Sequence, residues 1–129
     1  VPVGAVIFNN KGIVSKAYNQ VVKQGDHLAH AEILAIKKAT KKLKTTTLKD
    51  YKIYTTLEPC LLCSYAISKY LISTIYFGAY DIKNGSIENG IRIFNNEYKG
   101  FRPEIYGGIG MDQSSKLIKN FFKKIRKKN

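Results

Sequence analysis

The sequence is poor in cysteine and in acid and lacks any long apolar run. Each shortage removes a class of protein. There are two cysteines, Cys60 and Cys63. Both lie in one Cys-x-x-Cys motif, so no disulfide framework can be built, which fits a reducing cytoplasm. No apolar stretch reaches the length of a membrane-spanning helix, and no signal peptide is expected. No internal repeat or low-complexity segment is evident. Aspartate and glutamate number 9 against 22 lysines and arginines, a formal net charge of +13. That excess favours polyanions such as RNA, DNA or acidic membranes. The alternative is a lysine-rich genome that decorates every surface alike, since a charge count locates no patch.

What is present is enough for a folded unit. At 129 residues and 44% hydrophobic content, the chain is expected to be one domain, 1–129, with a real core. Val1 already stands in an apolar strand-like run, so the native amino terminus is expected to lie upstream.

Val1 to Asn9 reads as a strand covered on both faces. Asn9-Asn10-Lys11-Gly12 signals a turn, and Ile13 to Tyr18 returns as a second strand. Gln20 to Leu28 is polar and reads as a loop. Ala29 to about Lys44 is helical, with Ile33, Ile36, Thr40 and Leu43 facing inward and Lys37, Lys38, Lys41 and Lys42 outward. Asp50 to Thr56 is a third strand, Cys60 to about Tyr70 a helix, and Ser73 to Ala79 a fourth strand. Asp81 to Gly90 reads as a surface loop and Pro103 to Tyr106 as a short fifth strand. From Gln113 a last helix carries Leu117, Ile118, Phe121, Phe122 and Ile125 among basic residues. Strands alternating with helices predict an α/β sandwich, one sheet between helical layers.

Two short stretches carry the chemistry: Ala29-His30-Ala31-Glu32 and Leu57-Glu58-Pro59-Cys60-Leu61-Leu62-Cys63. His30, Cys60 and Cys63 are the donor types zinc prefers, and three protein ligands leave a fourth position open, as in catalytic sites. Such an ion is a Lewis acid that lowers the pKa of a bound water. Cys60 and Cys63 stand three apart, so at a helix start they share a face. The positive end of that helix favours thiolates, and Pro59 suits its entry. Glu32, two residues from the histidine, is placed to carry a proton. Alone, Cys-x-x-Cys would equally suit a redox pair or two buried thiols, and Glu32 could simply favour a helix N-terminus.

His-x-Glu with Pro-Cys-x-x-Cys is the signature of the zinc nucleobase deaminases. The chain most resembles the bacterial tRNA-specific adenosine deaminases of the cytidine/deoxycytidylate deaminase superfamily. The similarity extends to Val1-Pro2-Val3-Gly4-Ala5-Val6, Asn19, Phe77-Gly78-Ala79-Tyr80-Asp81-Ile82-Lys83 and the terminal Phe121-Phe122. Leu28 stands where the family commonly has threonine, His27 where it has proline, and Phe101 where histidine is frequent. The family's leading helix is absent from this sequence.

The resemblance implies a cytidine-deaminase-like, three-layer α/β/α sandwich on a five-stranded mixed sheet. It implies a homodimer, one zinc per subunit, and hydrolytic conversion of adenosine to inosine at the tRNA wobble position. Glu32 would shuttle the proton. Asn19, Ala31 and Asp81 would meet the nucleotide, and Phe121, Phe122, Lys123 and Arg126 the anticodon stem-loop. Asn19 and Asp81 have a second reading as turn residues. Phe121 and Phe122 have one as core.

Three other functions compete. A deaminase of free cytosine or guanine would need neither the basic excess nor the aromatic tail. A non-catalytic RNA-binding subunit with structural zinc would have no use for Glu32. A thiol-disulfide module would use Cys60 and Cys63 without a metal.

Overall fold

The computed structural model describes residues 4–110. β1 (Gly4–Asn9) and β2 (Gly12–Tyr18) form an antiparallel hairpin. Its turn is closed where Asn9 Oδ1 accepts the Lys11 N–H at 2.8 Å. Gly12 then takes a φ of 148°, a conformation that side chains disfavour.

The segment expected as a plain loop after β2 contains one helical turn, α1 (Val21–Gln24), ended by Gly25 in the left-handed conformation. It buries no residue, which is why the sequence carries no amphipathic signal there. α2 (Ala31–Leu43) follows, then β3 (Lys52–Leu57), α3 (Leu61–Lys69), β4 (Thr74–Ala79) and β5 (Glu104–Tyr106). The strand order is β2-β1-β3-β4-β5. β1 pairs antiparallel with β2 and β3, whereas β3–β4 and β4–β5 are parallel. The sheet is thus five-stranded and mixed, as expected. Parallel neighbours require crossovers. α3 makes the first, and the irregular stretch 80–103 makes the second.

One face of the sheet carries the main core. Ala5, Ile7, Ile53, Ile75 and Phe77 meet Ile36 and the alanines of α2, and Ile67 of α3. The inward stripe of α2 is Ala31, Glu32, Ala35, Ile36 and Ala39. Of the residues expected to point inward, Ile36 is buried and Leu43 packs part-buried against the core, whereas Ile33 and Thr40 are only half-buried. Alanine lets the helix lie close on the strands, so the small residues took the contact face. The lysines face outward as expected. The opposite face of the sheet carries Phe8 and Tyr54, with Val6, Ile13, Tyr76 and Ile109 against them. The helix expected from Gln113, with Phe121, Phe122, Lys123 and Arg126, lies outside the described residues.

This architecture sets α3 at the carboxyl end of β3, the end where open α/β sheets hold their ligands. The contact between α2 and α3 brings the tips of two helices together there.

Candidate active site

His30 and Cys60 are the residues just before α2 and α3. Both have extended backbone, and neither side chain caps its own helix. The imidazole and the thiol are therefore free to turn toward each other. Cys63, one turn into α3, is fully buried on the same side. His30 Nδ1 lies 3.6 Å from Cys60 Sγ and 3.4 Å from Cys63 Sγ. The three ligand atoms all fall within 4.8 Å of one another. Tetrahedral zinc, with bonds of about 2.3 Å to sulfur and about 2.0 Å to nitrogen, sets such atoms roughly 3.5 Å apart. The donor set and its spacing thus fit one zinc ion, held through the Nδ1 face of the histidine.

The two thiols are unequal. The hydrogen bond from the Cys63 thiol, then the backbone N–H groups of Cys63 and Leu62, and His30, hold Cys60 down to about 5 against its burial. Cys63 is pushed up, first as the donor to Cys60 and then by burial. Glu32, in the first turn of α2, is 4% exposed. Burial raises its carboxyl above the ordinary range, partly offset by its own backbone N–H and by the Cys63 thiol.

His30, Glu32 and Cys60 line the floor of an open cavity of about 600 Å³, and Cys63 is buried beside them. Asn19 lines one side, and Asp81, Lys83 and Asn84 line another. Asn19 Oδ1 accepts the Val21 N–H at 3.0 Å. Asp81 Oδ1 accepts the N–H groups of Lys83 at 3.1 Å and Asn84 at 2.9 Å. Both therefore shape turns while also facing the cavity. Ala31 is buried at the start of α2. His27 and Leu28 are exposed and do not line the cavity. Phe101 is exposed too, and its carbonyl accepts the Ser68 hydroxyl at 2.6 Å.

Glu58, Lys83 and Asn84 were not foreseen as cavity residues. For Glu58 one signal was available: an acid between Leu57 and Pro59 in an otherwise uncharged strand end. An acid in such a place is usually buried with a purpose.

Residues 1–79 match the family described as the cytidine and deoxycytidylate deaminase zinc-binding region. A tRNA-specific adenosine deaminase of Rickettsia bellii is 46% identical, over 98% of this chain and 88% of its own length. One of Aquifex aeolicus is 40% identical, over 98% and 83%. The chain belongs to the tRNA-specific adenosine deaminase family. A solved structure from work on A-to-I editing by tRNA:A34 deaminases at the wobble position of transfer RNA superposes on this deaminase with a TM-score of 0.79. It is 36% identical and covers 82% of each chain. The guanine deaminase of Bacillus subtilis is a more distant neighbour, 29% identical, with a TM-score of 0.59 over 72% of this chain and 69% of its own.

Proposed function

We propose that the chain hydrolyses adenosine to inosine and ammonia at the wobble position of a tRNA anticodon. The observation that carries this reading is the convergence of His30, Cys60 and Cys63 on one point beside the buried Glu32, beneath an open cavity. When bound there, zinc supplies the Lewis acidity that brings a water's pKa into the neutral range. The remaining steps belong to the chain. Glu32 takes one proton from the attacking water and gives it to the ring nitrogen, then carries the second, from the new C6 hydroxyl, to the departing amine, which leaves as ammonia. Its raised pKa suits a group that must both accept and donate near neutral pH. Asn19 and Asp81 meet the nucleotide from the cavity walls, and Ala31 underlies it. An anticodon loop nucleotide is unpaired, so turning its base into the cavity costs less than extrusion from a duplex.

The charge of +13 supports an RNA substrate over a free base, because phosphate neutralisation contributes most of such affinity. Phe121, Phe122, Lys123 and Arg126 are proposed to meet the stem-loop, the rings stacking on bases and the cations pairing with phosphates. We also propose a homodimer working in the cytoplasm. Leu61, Leu62 and Tyr65 of α3 are 47%, 40% and 49% exposed, an apolar face beside the cavity that suits a second subunit. Sedimentation of the purified chain tests the dimer. Among the described residues no helix is long and apolar enough to cross a membrane.

The test of function compares an anticodon stem-loop carrying wobble adenosine with free adenine, guanine and cytosine. Inosine from the stem-loop alone is the expected result. Ammonia from guanine or cytosine, with the RNA untouched, would move the chain to the free-base deaminases.

A further inference from the structure

The loop between β4 and β5 reads in sequence as exposed, yet Gly85, Ser86 and Ile87 at its centre are buried. What pulls them in is Glu58. This residue follows β3 and stands two before Cys60, and it is 2% exposed. One carboxylate oxygen accepts the Asp81 N–H at 3.1 Å and the Asn89 side-chain amide at 2.7 Å. The other accepts the N–H groups of Ile87 at 3.0 Å, Glu88 at 2.9 Å and Asn89 at 3.2 Å. Hydrogen bonds to a charged acceptor are roughly twice as strong as neutral ones.

Space around this carboxylate is tight. A Cβ on Gly85 would stand 2.5 Å from Glu58 Cδ and 2.7 Å from its Oε1. A second tie runs beside it, where the Pro59 carbonyl accepts the Ser86 N–H at 3.1 Å and hydroxyl at 3.0 Å. The loop's leading turn, Asp81 to Asn84, is the cavity wall facing the ligands. Its one bond to Glu58 is at Asp81, the residue whose carboxylate then organises the Lys83 and Asn84 backbone.

We propose that Glu58 is the positioning residue of the substrate cavity: its buried carboxylate fixes the wall formed by residues 81–89 at a set distance from the turn that carries Cys60. The kinetic consequence rests on the RNA-deaminase reading above; the structural consequence does not. In Glu58→Gln the new NH2 must face either the donors of Asp81 and Asn89 or the three backbone N–H groups of 87–89. Two or more donors then lose their acceptor, while nothing is taken from His30, Cys60, Cys63 or Glu32.

The experiment measures stem-loop deamination, zinc content and amide hydrogen exchange for the full chain with Glu58→Gln, Gly85→Ala and Asn89→Ala. In Glu58→Gln, exchange is expected to quicken at Asp81 and at 87–89 with α2 and α3 unchanged and zinc retained. KM should rise roughly tenfold or more and kcat shift by less than about threefold, since a displaced wall weakens substrate placement rather than proton transfer. Gly85→Ala, which forces the loop off an intact carboxylate, should move KM the same way. Asn89→Ala, which removes a single donor, should do so more mildly and serves if Glu58→Gln does not fold. Loop amides as protected as in the wild type, or a fall in kcat with KM unchanged, would overturn the proposal. Should the wild-type chain fail to deaminate the stem-loop, the functional reading falls and the exchange measurement alone decides the role of Glu58.

Discussion

Glu32 is the residue on which turnover is proposed to depend. It is buried beside the ligands, and that burial raises its carboxyl above the ordinary range. Glu32→Gln keeps the shape of the side chain and removes its basicity. It should retain zinc by metal analysis and lose roughly 10²–10⁴-fold in inosine formation. Wild-type turnover in that variant would call for another base. The thiols give a second prediction. With Cys60 held to about 5 and Cys63 pushed up, the metal-free site at neutral pH is one thiolate and one thiol. Zinc takes thiolates, so loading must expel the Cys63 proton. Affinity should therefore rise with pH, about tenfold per unit for that one proton at and above neutrality and more steeply in acid, where Cys60 must ionise and the His30 ring must also be neutral. Calorimetry in buffers of different ionisation enthalpy counts that proton. At this scale the grouping of His30, Cys60 and Cys63 was legible because donor type and spacing specify it. Glu58 was not legible in its role. Its partners stand 23 to 31 residues away and are mostly backbone N–H groups, which leave no mark in side-chain chemistry.

At the scale of elements, α2 stops at Lys44, a residue in the left-handed conformation with φ 53°. Its N–H bonds to the Thr40 carbonyl, so the turn is satisfied although a lysine makes it. Glycine takes that conformation without the Cβ penalty. Lys44→Gly should stabilise the fold by about 1 kcal/mol, read from urea unfolding at unchanged slope. A destabilised variant would mean that the lysine stem contributes packing there. Helix and strand periods located every described element of more than one turn within a few residues. The inward face of α2 was less legible. Helical spacing pointed to Ile33, Ile36, Thr40 and Leu43, of which Ile36 is buried and Leu43 part-buried on the core, whereas close helix-on-sheet contact also selected Ala31, Ala35 and Ala39. The single turn α1 buries nothing and so left no period to detect.

For the molecule as a whole, charge is the dominant property, and salt is the variable that reads it. Deleting Phe121 to Asn129 removes five lysines and arginines of the 22. The truncated chain should bind tRNA more weakly, and the fall of log affinity with log salt should flatten. An unchanged slope would place RNA contact elsewhere on the surface. Zinc chemistry and an α/β sandwich could be read from the sequence. The order of strands could not, because the parallel pairing of β4 with β5 spans an irregular crossover with no helical period. The order in which the parts are made also follows from the layout. β1, β2, α2 and β3 form three adjacent strands with a covering helix, and Cys63 follows directly after them. Every group that grips the ion has thus been synthesised before β4 begins. Metal capture therefore need not wait for β4 and β5, which can dock onto a part already pinned by the ion.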